Sequence, residues 1–478
     1  MLFGQSSKIL LTQNRKKHRE RRDAPCWSIV IFMNIYIPKN VGKIIEKLEQ
    51  GGFEAYIVGG CVRDSILGKT PKDYDITTSA FPEEIKHCLS GYTVIDTGIK
   101  HGTVTVVSEG ENIEVTTFRI DGEYSDHRHP ESVEFSRRLA DDLSRRDFTV
   151  NAMAYNSKTG IIDPFDGQKD LFRRKIVCVG EPSARFEEDA LRIMRALRFS
   201  SQLGFEIDES ASSAIFSMKN LLHSVSQERL AKELILLLTG ESPYSVLTRF
   251  YDVIAVIIPE ITPCVGFNQH SRYHAYDVWS HIAYAIEYSA PLPDVRLALL
   301  FHDIGKPQCF TMDDEGNGHF INHEKISAEI AEKALKRMKF PTNTIERTEK
   351  LIKYHYVTPV DDHKVVRRLL SKLGEEDFFL LMEVMKGDNR AKRSFCFERV
   401  HTIDAMCEKA RKIIEENQCL KISDLAVSGN DMISLGLAGA EIGKALNDLL
   451  EAVISEEIQN TRESLMKYTS EHILNKKS

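Results

Sequence analysis

The apolar positions between residues 34 and 155 change period several times over short distances. The amphipathic segment Val41 to Leu48 predicts a helix over 40–50, and a short apolar run then predicts a strand over 54–58. The same reading gives a helix at 61–67, a strand at 73–77, a helix at 82–89, and strands near 92–96, 103–107 and 112–119. This alternation predicts a compact domain with a mixed or antiparallel sheet. From Asp163 onward, apart from an extended piece at Lys175 to Val179, the spacing is helical and strand signals fade. The fold class expected is therefore α+β, a sheet-bearing head followed by a long, mostly α-helical remainder. Pro259, Pro263 and the loop Gly266 to Tyr273 mark one joint in that remainder, and Pro291, Pro293 and Pro341 mark further turns.

Composition narrows the class. At 478 residues, 42% hydrophobic and 28% charged, the chain can build several domains. Its formal net charge of −7 means that any RNA contact comes from a local basic surface and not from the field of the whole molecule. Nine cysteines without a CxxC pair or regular spacing argue against a zinc finger or a disulfide framework and fit a reducing cytoplasm. Residues 1–33 form a basic extension, with Lys8, Arg15, Lys16, Lys17, Arg19, Arg21 and Arg22 ahead of the apolar run Trp27 to Phe32. That run is too short to span a membrane and lacks a small-residue cleavage pattern. The extension is read as a mis-called start, with Met33 as the true first residue, or as an RNA-contacting arm.

The chemistry begins at Ile57-Val58-Gly59-Gly60-Cys61-Val62-Arg63-Asp64, followed by Lys72-Asp73-Tyr74-Asp75-Ile76. A strand, a glycine turn and a helix start together attract phosphate, to which Arg63 adds a charged fork. Asp73 and Asp75, two apart on an expected strand, point to one face and suit Mg2+, which binds through carboxylates and substrate phosphates. Further motifs follow: Glu114-Val-Thr-Thr-Phe-Arg119, Arg145 to Ala154, Asp163-Pro-Phe-Asp166-Gly167, and Arg185 to Phe199.

In this order the motifs resemble the bacterial class II tRNA nucleotidyltransferases, the CCA-adding enzymes, and their relatives the bacterial poly(A) polymerases. The resemblance implies a polymerase-beta-like nucleotidyltransferase head at 34–155, a helical neck at 156–262, a body at 263–390 and a tRNA-binding tail at 391–478. It implies template-independent addition of CCA to tRNA from CTP and ATP, with poly(A) synthesis or partial (A- or CC-) addition as alternatives. Asp73 and Asp75 then match the catalytic Mg2+ ligands, with Glu114 as a third carboxylate. Gly60, Arg63, Arg146, Asp189, Arg192, Arg195 and Arg198 match nucleotide-binding positions.

Physical reasoning supports the last group. Asp189 and Arg192, three apart on an expected helix, offer an acceptor and a donor fork on one face. Cytosine and adenine each present an amine beside a ring-nitrogen acceptor, whereas uracil and guanine would leave groups unpaired. The polar segment Arg119 to Arg138, without strong periodicity, resembles the mobile loop that family members need for adding the terminal A.

A second constellation comprises His281, then His302-Asp303-Ile304-Gly305-Lys306, then His323, His355 and Asp388. It resembles the HD superfamily of metal-dependent phosphohydrolases. His281, His302, Asp303 and Asp388 match its four metal positions, and His323 and His355 match histidines that some members use for a second metal or for phosphate. Imidazole with carboxylate suits Mn2+, Ni2+ or Fe2+. A phosphohydrolase acting on RNA ends is therefore a second expected function. The tail's Lys392, Arg393, Arg399, Lys409, Arg411 and Lys412 are read as tRNA contacts or as a solvated helix face.

Overall fold

The computed structural model describes residues 34–122 and 132–474. The basic extension 1–33 and the centre of the polar loop, 123–131, lie outside the described residues.

The first helix, Lys39–Gln50, buries Val41, Ile44, Ile45 and Leu48, as its amphipathic spacing predicts. Its buried face covers a seven-stranded mixed sheet. The strands are β1 (Ala55–Val58), β2 (Asp75–Thr78), β3 (Thr93–Gly98), β4 (Thr103–Ser108), β5 (Glu111–Thr117), β8 (Ala154–Asn156) and β9 (Gly160–Ile162), in the order β3-β4-β5-β2-β1-β8-β9. A separate ribbon pairs β6 (Arg119–Asp121) with β7 (Val133–Phe135). In β1 all four residues are buried, because alternate side chains enter two cores. Ala55 and Ile57 join the main core, while Tyr56 and Val58 join a smaller one with Phe118, Leu139 and Leu143.

Three local expectations need correction. The expected strand 73–77 begins only at Asp75, so Asp73 lies in the connection before it. The head sheet runs on through β9 to Ile162, past the boundary expected at 155. The polar segment 119–138 holds the β6–β7 ribbon at its two ends, where three-residue strands are too short to leave a period in the sequence.

The remainder is helical except for two small pairings. β10 (Lys175–Ile176) pairs in parallel with β11 (Glu206–Ile207), and β12 (Phe310–Met312) with β13 (Gly318–Phe320) forms an unexpected hairpin. One continuous core runs from the head through the neck and body to Ile413 on the helix Glu398–Glu415. A separate core begins at Cys419. The buried Arg367 ties this last unit to the body, donating to the carbonyls of Val453 and Cys419 at 3.0 Å each.

Candidate functional site

The register of the sheet builds the first site. β1 and β2 are antiparallel with Val58 opposite Asp75, so the turn after Val58 falls beside the Asp75 carboxylate. Gly59 has φ +80°, and a Cβ there would lie 3.1 Å from an Arg146 nitrogen. Within the expected Gly59-Gly60 turn, Gly59 is thus the position whose backbone conformation demands glycine. β2 and β5 run parallel with Ile76 opposite Val115, which brings Glu114 alongside Asp75. Desolvation in the cleft holds the Asp75 carboxyl above its usual range, and the charges of Glu114 and Asp73 add to this against the pull of Arg146. Such accumulated negative charge fits a divalent cation. Asp73, Asp75 and Glu114 do not, however, form a group of ligand atoms within 4.8 Å of one another among the described residues.

Behind the carboxylates lies a cleft of about 430 Å³, lined by Gly59, Gly60, Arg63, Asp75, Arg146, Asp189, Arg192 and Arg195 among others. Its guanidinium groups are braced by carboxylates. Arg63 pairs with Asp64 at 2.8 Å and donates to Asn151 at 2.6 Å. Arg145 and Arg146 share the fully buried Asp142 at 2.6 and 3.1 Å. Arg195 grips Asp147 through Nε at 2.7 Å and Nη2 at 2.5 Å. Burial alone would raise the Asp147 carboxyl, but Arg195, with Asn151 and Arg192, brings it down to about 2. Arg198 pairs with Glu233 at 3.0 Å and lies 4.0 Å over the Phe199 ring. Burial, reinforced by Arg195, lowers Arg198 to about 10, so it remains charged at neutral pH. Arg198, Asp73 and Glu114 are not among the residues lining the cleft.

The expected helix carrying both Asp189 and Arg192 is not present. Helix Pro182–Glu188 ends before Asp189, which is extended at φ −138° and ψ 103°, and a second helix starts at Leu191. The cause is local: the Asp189 carboxylate accepts the N–H of Leu191 at 3.1 Å and so caps the second helix. The same carboxylate also receives Arg229 at 3.0 and 3.3 Å. Arg192 donates to Glu188 at 2.5 Å and to the Arg145 carbonyl at 2.8 Å. Both residues still line the cleft. Asp147, Asn151 and Arg229 were missed as site residues; Asp147 and Asn151 stand inside a recognised motif, but Arg229 carried no signal.

The second site is tighter. His281 comes from the helix Val278–Glu287, His302 and Asp303 follow the helix Pro293–Phe301, and Asp388 sits on the helix Glu375–Arg390. All four are buried and offer ligand atoms within 4.8 Å of one another. His281 Nε2 is 3.1 Å from Asp388 Oδ1, 3.3 Å from Asp303 Oδ2 and 3.4 Å from His302 Nε2. The other Asp303 oxygen faces His323 and His355 at 3.5 and 3.8 Å, forming a second group around the same carboxylate.

His302, His323 and His355 each place Nδ1 on a backbone carbonyl, at 2.7, 2.8 and 2.6 Å. A carbonyl only accepts, so Nδ1 carries a proton and Nε2 is left as the atom that would meet a metal, the arrangement metal-ligating histidines use. Lys306 and Lys392 contact Asp303 and Asp388 at 2.6 and 2.5 Å. Burial opposes charge on His302, but Asp303 and Asp388 outweigh it and raise the imidazole to about 9. Burial and the neighbouring His302 and His323 push His355 down to about 3. The donor set fits Mn2+, Ni2+ or Fe2+ better than Mg2+ alone.

A CCA-adding enzyme of Lactobacillus helveticus is 32% identical over 427 residues, covering 89% of this chain and 95% of that protein. The chain belongs to the CCA-adding enzyme family. A model described as the Poly A polymerase head domain matches residues 55–177, one for the RNA and SrmB-binding site of polymerase A matches 204–264, and tRNA nucleotidyltransferase domain 2 matches 315–469. The CCA-adding enzyme of Levilactobacillus brevis is 51% identical over 205 residues, 43% of this chain; there the chain spans about half the length (51%) of its relative. Among solved structures, the Bacillus stearothermophilus CCA-adding enzyme in complex with CTP superposes with a TM-score of 0.72 at 29% identity, covering 92% of this chain and 98% of that one. The fold of this family member is thus a nucleotidyltransferase head followed by a mostly helical body. No helix among its described residues is long and apolar enough to cross a membrane.

Proposed function

We propose that this protein adds CCA to tRNA 3′ ends without a template, using CTP and ATP, in the cytoplasm. The observation that carries the reading is the Val58–Asp75 register, which sets a phosphate-accepting turn against a carboxylate at the mouth of an arginine-lined cleft. In this reading Asp73, Asp75 and Glu114 hold Mg2+, which supplies activation of the attacking 3′-hydroxyl and charge neutralisation on the leaving pyrophosphate. Arg63, Arg146 and Arg195 keep N–H donors beyond those their braces use, and these bind the triphosphate. An incoming cytosine or adenine amine takes the place of Arg229 on Asp189, and its ring nitrogen takes an Arg192 donor from Glu188. The neck thus reads the base, the sheet domain transfers it, and the tail holds tRNA. Incubation with tRNA lacking CCA should give two C additions and then one A with both nucleotides present, abolished in Asp75→Ala. Long A tails from ATP alone would replace this reading with poly(A) synthesis.

The convergence of His281, His302, Asp303 and Asp388 supports a second activity, hydrolysis of a 2′,3′-cyclic or terminal phosphate on an RNA end. Such a reaction frees the 3′-hydroxyl that the head requires. A tRNA with a cyclic-phosphate end, incubated with Mn2+, should release phosphate or open to the monoester, and His302→Ala should do neither. Equal behaviour of the two proteins would remove this activity from the cluster.

A further inference from the structure

Beside the histidine cluster lies a surface that combines exposed rings with cations that have no carboxylate partner. The short turn Ser394–Phe397 buries Cys396 and leaves Phe395 and Phe397 54% and 46% exposed. The Phe395 ring packs against Tyr273 with centroids 5.8 Å apart. The guanidinium groups of Arg272 and Arg399 lie 4.8 and 5.5 Å from the Tyr273 ring centre. Arg393 fastens the two segments together, its N–H donating to the Tyr273 carbonyl at 3.0 Å and its Nε to that of His274 at 3.3 Å. Among the described residues none of these three arginines is ion-paired with a carboxylate, whereas the arginines of the head cleft are. In a chain of net charge −7, this is a local departure from the average.

The surface is continuous with the cluster. His274, next to Tyr273, has its ring 4.9 Å from that of His281, and its Nε2 is 3.5 Å from Lys306. Arg399 and Lys392 line the same cleft, about 310 Å³, as Asp303, His323, His355 and Asp388. Exposed rings interleaved with uncompensated cations form the surface on which unpaired bases stack while their phosphates are held.

We propose that Tyr273, Phe395 and Phe397, with Arg272, Arg393 and Arg399, bind the single-stranded 3′ end of an RNA, stacking its last bases and directing the terminal phosphate into the histidine cleft. The proposal rests on the reading of that cleft as an RNA-end phosphohydrolase. It is tested on the full chain with Mn2+ and a fluorescent hexanucleotide RNA carrying a 2′,3′-cyclic phosphate, by anisotropy and by product release. Phe395→Ala and Arg399→Gln should each weaken binding about tenfold, the size expected for one stacked base, and raise KM by the same factor while kcat holds. Phe395→Trp should restore binding. Phe172→Ala, at a ring 76% exposed elsewhere on the surface, should bind as wild type does. Wild-type affinity in both Phe395→Ala and Arg399→Gln overturns the proposal, as does competition by inorganic polyphosphate equal to that by RNA. Loss of hexanucleotide binding in those variants, in a protein that releases no product with any metal, retains the platform and removes the phosphohydrolase reading.

Discussion

The two acidic centres of this chain are built in opposite ways. In the head, Asp73 and Glu114 stand exposed and Asp75 lines the cleft, without the three converging on one point, while the arginines beside them are already braced by Asp64, Asp142, Asp147 and Glu188. In the body, His281, His302, Asp303 and Asp388 are buried and converge before anything binds. The difference teaches what each site awaits. On the proposed reading, a triphosphate would bring its own negative charge and chelate the metal, so the head would need only part of a coordination shell and a rigid cationic wall. A site that holds a transition metal by itself must gather its ligands in advance.

The strongest way to break this comparison is to remove a head carboxylate. Asp75→Ala should lower CTP and ATP incorporation into tRNA by about a thousandfold or more, since charge stabilisation of the transferring phosphoryl group is the main catalytic contribution expected there. Hydrolysis of a cyclic-phosphate RNA end should remain. A parallel fall in both activities, measured on one preparation, would mean that the centres are not independent.

The reverse substitution comes next. His302→Ala should abolish stoichiometric Mn2+ binding, read by metal analysis after gel filtration, and leave nucleotide incorporation within about twofold of wild type, because the head contains none of these ligands. Retained Mn2+ would show that the cluster is not preformed for metal.

A third test addresses the braced wall. Asp147→Asn leaves Arg195 without its anionic partner and should lower stability by about 2–3 kcal/mol at pH 7 in urea unfolding. The Asp147 carboxyl titrates near 2 in the folded chain against 3.8 for an ordinary aspartate, so its contribution is complete above about 4. The gap between wild type and variant should therefore close as pH falls from about 4 to about 2. A gap independent of pH would assign the loss to packing and not to charge.

The smallest effect is expected at Arg229, which occupies the Asp189 carboxylate. Arg229→Gln should change the preference for CTP and ATP over UTP by only severalfold, because the part-buried ion pair it removes is one the incoming base itself displaces from Asp189. A change above a hundredfold would make Arg229 a direct reader of the base.

Much of this molecule is legible in its sequence alone. The helix Lys39–Gln50, the strands β1, β4 and β5 and the helix Pro82–Cys88 fall within a residue or two of expectation, because short-range periodicity decides them. Of the residues that line the head cleft, Arg63, Asp75, Arg146, Asp189, Arg192 and Arg195 sit in contiguous motifs and are legible in the sequence, whereas Arg229 sits in none. Where spacing along one element was used to infer a shared face, the inference failed: Asp73 precedes its strand, and Asp189 lies in a break between helices. A side chain that hydrogen-bonds its own backbone can end a helix that periodicity would continue.

The sequence by itself determined which chemical groups the protein carries and the periods of its longer elements. Only the tertiary structure decided which of those groups meet. Asp147 finds Arg195 across 48 residues, and His281 finds Asp388 across 107. The platform joins Tyr273 to Phe395, far apart in the chain, through rings whose exposure no local pattern records. Periodicity reports the face a residue presents to its own element. Pairing of buried charge depends on which elements pack together, because the energy of a charge in the interior is set by the neighbours that replace water.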